Sequence, residues 1–366
     1  MTLNNKIIKG GLYLVLANVF SQVISIVVNI FLARLLVPED FGLMVLASTI
    51  IGFILLFTSI GFGSSIIYEK NISQRQLSSL YWLNILTSII TFLIVVSCAK
   101  YGVKFYNEPR LLYVIWLSSI GILIQTVFSI QYKLKEKKLE FELLSKINVF
   151  SSLVGSVFAV LAAFFGLGVY ALVLQTLIST IIRMLFILSK TDWQPSLTFN
   201  FNEIKHMVVY SIKYRLWYKF LYVERNIDYL ILGKMFSPTL LGYYSFSYNI
   251  MYMPVKKISG VFSDLLFPTF SKIKDNKEKI ISGYFKSVNL IAIVSIPSMT
   301  ILAYNSEFII PIIFGQQWNN AIPIVKILCF AGAIQSISQF GDVIFSSIGK
   351  PEISMYISFC RTCFTV

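Results

Sequence analysis

Charge, and acidic charge above all, is what this chain has least of. Only 13% of its 366 residues are charged, with 17 Asp or Glu against 31 Lys or Arg, and histidine occurs once. One histidine, His206, and four cysteines, Cys98, Cys329, Cys360 and Cys363, give no compact Cys/His grouping for a metal. Cys360-x-x-Cys363 has the spacing of half a redox or zinc motif, but no second pair or histidine lies near it; it reads as helix-buried thiols. P-loop, H-E-x-x-H and G-x-S-x-G patterns are also missing, which removes the commonest nucleotide-, zinc- and serine-based chemistries. A cleavable leader is not indicated. The first apolar run follows Lys6 and Lys9 but is about twice as long as a secretory core and lacks a small-residue cleavage site.

Apolar sequence is abundant instead: 56% of residues are hydrophobic and the mean hydropathy is +0.75, above what a soluble core needs. A spanning helix takes about 20 apolar residues. Ten such runs are expected, at 11–36, 41–67, 77–99, 111–132, 143–165, 170–188, 208–232, 241–266, 284–304 and 321–348. An eleventh begins near Ile353, and the sequence stops inside it.

Lys and Arg in the connections orient the bundle, because cytoplasmic loops hold an excess of both. With the N-terminus inside, the inner connections carry fifteen (Lys6 and Lys9 through Lys350) and the outer ones five: Arg34, Lys100, Lys104, Arg110 and Lys234. That bias predicts a cytoplasmic N-terminus in a multi-pass plasma-membrane protein. It also absorbs much of the +14 net charge, so no nucleic-acid partner is implied.

An internal echo sets the architecture. Ala33-Arg34-Leu35-Leu36-Val37-Pro38, followed by Gly42, lies over Gly233-Lys234-Met235-Phe236-Ser237-Pro238, followed by Gly242. Each copy ends a helix with a basic residue, turns on Pro and restarts, as helix termini favour. Spans one and two therefore correspond to seven and eight, which predicts two six-helix lobes of like orientation around a central site. The expected division is an N-terminal lobe over 1–188, a cytoplasmic linker over 189–207 with Trp193 and His206, and an incomplete C-terminal lobe over 208–366. His206 reads as an interfacial residue rather than a catalyst.

An ordered series of segments runs along the chain: LARLLVPEDFGLMVLAS, IGFGSSIIYEKNIS and FYNEPRLLYVIWLSS in the first half, then NIDYLILGKMFSPTLLGYYSFSYNI, LLFPTFSKIKDN and IIFGQQWNNAIPIVKIL in the second. In this series the chain resembles the bacterial polysaccharide transporter family of the multidrug/oligosaccharidyl-lipid/polysaccharide exporter superfamily. The resemblance covers almost the whole chain and implies an inner-membrane flippase for lipid-linked O-antigen-like or teichuronic-acid-like precursors. Members commonly have twelve to fourteen spans, so this sequence reads as C-terminally truncated.

Polar residues inside the spans mark the candidate site. An ionisable side chain at membrane depth costs about 3 kcal/mol on insertion scales, so it normally faces a bundle interior or water. Span seven carries Arg215, Lys219, Tyr222 and Asn226 at helical steps of four, three and four, flanked by Glu224, Arg225 and Asp228. Arg225 and Asp228 stand three apart and could neutralise each other within the helix; Glu224 and Asp228 are also the candidates for H⁺ or Na⁺ coupling. Span one sets Asn18, Gln22, Ser25 and Asn29 on one face, either as interhelical hydrogen bonds or as a sugar-facing wall. Span eight runs Tyr243, Tyr244, Phe246, Tyr248 and Tyr252 down to Lys256 and Lys257, offering sugar-stacking surfaces at depth and, for one lysine, a snorkelling role.

A flippase must move a diphosphate and sugars past hydrocarbon. Arg forks onto phosphate oxygens, Lys adds a mobile charge, and alternating access carries the cargo over. No organic cofactor or metal is needed. The partners implied are a lipid-linked oligosaccharide, membrane lipids and polysaccharide assembly proteins. A multidrug/cation antiporter of the same superfamily would share the fold but should have an acidic cavity. A polysaccharide polymerase should expose a large outer loop, and the longest outer connection here is about 305–320.

Overall fold

Eleven α-helices and one short 3-10 turn account for the secondary structure in a computed structural model that describes residues 3–273, 276–347, 353, 356 and 357. In order they are α1 (Leu3–Leu35), α2 (Pro38–Thr58), α3 (Gly63–Tyr68), α4 (Gln74–Tyr106), α5 (Leu111–Lys137) and α6 (Phe141–Phe164). There follow α7 (Val169–Ser189), α8 (Phe201–Met235), α9 (Pro238–Lys272), α10 (Lys277–Phe314) and α11 (Ile322–Ser347). Nine of the ten expected apolar runs are each found as one helix, and seven helices among the described residues are long and apolar enough to cross a membrane. The protein is an all-helical, multi-pass membrane bundle. The expected eleventh helix, with Cys360 and Cys363, lies outside the described residues apart from Ile353, Tyr356 and Ile357.

One expectation needs correcting. The second run is not a single rod: α2 stops at Thr58, and the chain passes through Ser59–Phe62 before the six-residue α3. Gly61 at φ +76° makes the break, in a left-handed conformation that glycine alone adopts freely.

The repeated turn is the same structure twice. α1 ends at Leu35 and α2 starts at Pro38; α8 ends at Met235 and α9 starts at Pro238. The Leu36 N–H donates to the Leu32 carbonyl at 2.8 Å, and the Phe236 N–H donates to the Leu232 carbonyl at 2.9 Å. Only the caps differ. Asp40 reaches back to accept from the Val37 N–H, whereas the Ser237 hydroxyl accepts from the Leu240 N–H.

Packing divides the chain into two compact units, Met1–Val223 and Glu224–Val366, so that the division falls inside α8. In the first unit, Phe62 and Ile66 pack with Leu77, Leu80 and Tyr81 of α4, Ile130 of α5, and Ile204, Met207 and Val208 of α8. Leu32 and Leu36 meet small residues of α6 and α7, Ala159, Ala162, Ala163 and Ala171. Segment 190–200 is held on α4: Trp193 Nε1 donates to Gln74, Trp82 Nε1 to the Ser196 carbonyl, and the Asn200 N–H to Ser79. On the opposite end of the unit, Arg110 bonds both Glu108 and Glu39, tying the α4–α5 connection to the start of α2. In the second unit, Trp318 is fully buried and stacks on Phe246 with centroids 3.9 Å apart, joining the 3-10 turn at Gln316–Ala321 to α9.

Candidate functional site

The α8 stripe divides between the two units. In the first, Arg215 Nη1 donates to the Ser59 carbonyl at 3.2 Å, just beyond the last turn of α2. The final carbonyls of a helix lack intrahelical partners and carry partial negative charge, so a guanidinium there caps α2. Gly61 makes room for it: a Cβ at that position would lie 2.4 Å from Arg215 Nε. One further notch receives Tyr222. A Cβ on Gly52 would stand 1.7 Å from the Tyr222 hydroxyl, which donates weakly to the Thr49 carbonyl at 3.4 Å while its ring meets Phe53 edge-on. Lys219, between them, is half-buried and makes no ion pair or hydrogen bond among the described residues. The sequence reading placed all three on one face, and the structure adds that Arg215 and Tyr222 hold α2.

In the second unit, Asp228 Oδ2 accepts from the Tyr244 hydroxyl at 2.8 Å, while Oδ1 is buried with no side-chain partner among the described residues. Tyr229 packs edge-on to Tyr244 and Tyr248, Tyr248 stacks on Tyr252, and Tyr248 also bonds the Gln335 side chain of α11. Glu224 and Asn226 are half-buried and engaged with other groups. Arg225 is exposed, and it forms no ion pair with Asp228. Of the two readings of these charges, the self-neutralising Arg225–Asp228 pair does not form; Asp228 instead makes a carboxylate–tyrosine contact across to α9. A carboxylate accepts readily from a phenol, and the tyrosine is held there by its ring contacts.

The remaining candidates stand apart. In α1, Asn29 Nδ2 donates to Ser25 Oγ within its own helix, Gln22 is half-buried, and the Asn18 side chain lies outside the described residues. The Ser25–Asn29 contact stays within one helix and joins no neighbour. Lys256 is exposed and the Lys257 side chain is not described. His206 is an exposed residue whose Nε2 lies 3.3 Å from Glu69. Sequence reasoning passed over Arg183 of α7, whose Nε is buried without a partner. A charged residue inside an apolar run was the available signal.

A family described as "Polysaccharide biosynthesis protein" matches residues 31–323. The lipopolysaccharide biosynthesis protein WzxC of Escherichia coli is 26% identical over 99% of this chain and 74% of its own length. Two solved structures have the same fold. A multidrug resistance MATE family transporter in an inward-facing conformation has a TM-score of 0.68 over 93% of this chain and 84% of its own, at 13% identity. Lipid II flippase MurJ, in an inward closed conformation, has a TM-score of 0.70 over 93% of this chain and 77% of its own, at 12% identity.

Proposed function

This chain belongs to the polysaccharide biosynthesis protein family, and from that premise we propose that it is a flippase for a polyprenyl-diphosphate-linked oligosaccharide. The observation that carries the reading is a pair of cations on α8. Lys219 and Arg225 sit in α8, and among the described residues neither has a carboxylate partner. A cation at membrane depth is costly unless water or an anion meets it. A passing diphosphate would answer each charge in its turn, at Arg225 by paired hydrogen bonds and at Lys219 through a point charge. The lipid tail stays in the bilayer while the headgroup and sugars pass the polar residues. Tyr248 and Tyr252, Gln22 and Asn29 offer ring faces and amides suited to hydroxyl-rich cargo.

The multidrug transporter shares the fold, and fold does not fix cargo. Unpaired cations on α8 disfavour organic cations and favour an anionic headgroup. Transport rather than catalysis is the activity proposed. The cycle runs by alternating access with the N-terminus in the cytoplasm, as the Lys/Arg bias supports. Coupling to H⁺ or Na⁺ would act at Asp228, whose Oδ1 is left over after the Tyr244 contact, or at Glu224. Partners are the lipid-linked precursor, bilayer lipids and the assembly proteins downstream.

The deciding experiment measures export of lipid-linked glycan against protein abundance in Lys219→Gln and Arg225→Gln variants. Export should fall several-fold at near-normal abundance, and a charge-keeping Arg225→Lys should recover part of it. Normal export in the doubly neutral chain would remove α8 from the cargo path and the reading with it.

A further inference from the structure

Eight buried side-chain polar atoms lack a hydrogen-bond partner among the described residues, and five of them fall on the inner halves of α5, α6 and α7. They are Gln131 Oε1, Ser145 Oγ, Asn148 Oδ1, Ser151 Oγ and Arg183 Nε. Shared packing brings these stretches together. Phe128 and Tyr132 of α5, Leu144 and Ile147 of α6, and Met184 and Ile187 of α7 form one apolar cluster, and Asn148 Nδ2 donates to the Tyr132 hydroxyl at 3.0 Å. At 1.5 Å per residue, Gln131, Asn148 and Arg183 each lie about 9–10 Å from the inner end of their helix. The depths agree. Native interiors leave very few polar groups unpaired, so a concentration on three adjoining helices calls for an occupant.

We propose that α5, α6 and α7 enclose a bound-water site organised by Arg183, lying wholly within the first unit and separate from the α8 stripe. The donor and acceptor mix selects water. Gln131 Oε1 and Asn148 Oδ1 only accept, Arg183 Nε only donates, and the Ser145 and Ser151 hydroxyls do both. An anion would leave the two amide oxygens unsatisfied and repelled, and a metal cation would be repelled by Arg183. Water meets every member, and buried waters usually make about three such bonds. Tyr132, Asn148 and Arg183 are half-buried, not fully buried. Arg183 forms no ion pair among the described residues. Hydration is then what carries its charge inside the span. This inference is independent of which cargo the protein moves.

The full-length protein in lipid nanodiscs tests it by X-ray hydroxyl-radical footprinting, which labels side chains beside bound water. Arg183→Met should lower oxidation of Tyr132 several-fold while leaving Tyr81, a buried ring elsewhere in the unit, unchanged. Unaltered Tyr132 labelling overturns the proposal. If Arg183→Met does not accumulate, Ser151→Ala decides by thermal unfolding. A water site loses a partner and the midpoint falls by a few degrees, whereas a dry hydroxyl is relieved by its removal and the midpoint rises. A chloride-dependent rise in the midpoint that disappears in Ser145→Ala would mean a bound anion and would equally overturn the water site.

Discussion

Gly52→Ala is the sharpest probe of how α8 is held on α2. The new methyl carbon would stand 1.7 Å from the Tyr222 hydroxyl oxygen, 2.4 Å from Cζ and 3.0 Å from Cε2. Tyr222 must therefore swing away, giving up the Thr49 contact and its edge-on packing against Phe53. Overpacking of this kind costs about 1–3 kcal/mol. Replacing a mid-helix Gly by Ala returns up to about 1 kcal/mol, so the net loss should be about 0–2 kcal/mol. The distances also say which second change relieves the clash. Tyr222→Phe keeps Cζ and Cε2 in place and should not rescue; Tyr222→Leu removes the ring, and on that background Gly52→Ala should become stabilising. The coupling between positions 52 and 222 should thus be about 1–3 kcal/mol with Leu and much smaller with Phe. Thermal unfolding of the four purified proteins in one detergent measures it. Equal rescue by Phe and Leu, or additive effects with both, would refute the notch.

Arg215→Gln should lower accumulation, by losing a charge-assisted bond to Ser59 worth about 1.5–3 kcal/mol, while Lys219→Gln leaves accumulation normal; immunoblotting of membranes separates the two. Because no Arg225–Asp228 pair exists, Arg225→Gln combined with Asp228→Asn should not restore what either change costs in transport assays. Tyr244→Phe should destabilise by about 1–3 kcal/mol, since Asp228 Oδ2 would join Oδ1 in having no side-chain partner; unfolding of that variant tests it. The Arg110 hydrogen bond is the main cause holding the Glu108 carboxyl below its ordinary 4.5. A depressed carboxyl contributes stability above its unfolded pKa and loses it as pH falls through the folded value, so Glu108→Gln should flatten acid destabilisation below about pH 4.5. In intact cells, cysteines introduced at Asn107 and Asn319 should react with an impermeant thiol reagent while one at Asn276 should not, and labelling at 276 would reverse the proposed orientation.

Much of the fold was legible because membrane spans obey length and composition alone. The turn at Pro38 and its copy at Pro238 were readable for a related reason. Helix ends have few chemical solutions, and reusing one leaves matching residue types at a fixed offset. The break at Ser59–Phe62 was not read, although I-G-F-G-S-S carries two glycines, because hydropathy continues unbroken across it. Partner choice was harder still. Helical spacing put Arg225 and Asp228 within reach of each other, and it also gave Asp228 a view of α9, where Tyr244 stands ready-oriented by neighbouring rings. Nothing in spacing along one helix weighs a partner on another.

The same limit explains why a charged stripe on α8 reads as one site and acts as several. Side chains three and four apart share a face, yet what each meets depends on the helix opposite. Arg215 faces the carbonyl end of α2 and is used up in part by capping it. Tyr222 faces a glycine on α2 and fills the gap. Asp228 faces a phenol on α9. Lys219 and Arg225 meet no acid among the described residues, and in a membrane helix that is the costly state. The cost is what makes these two informative. A residue whose charge is answered within the fold can be kept for stability alone, whereas a cation left without an acid is retained at a loss unless something passing through answers it. Neutralising Lys219 and Arg225 should therefore raise the unfolding midpoint or leave it unchanged while export falls, the opposite pairing to Arg215→Gln. A midpoint that drops in all three variants would place Lys219 and Arg225 among the structural residues.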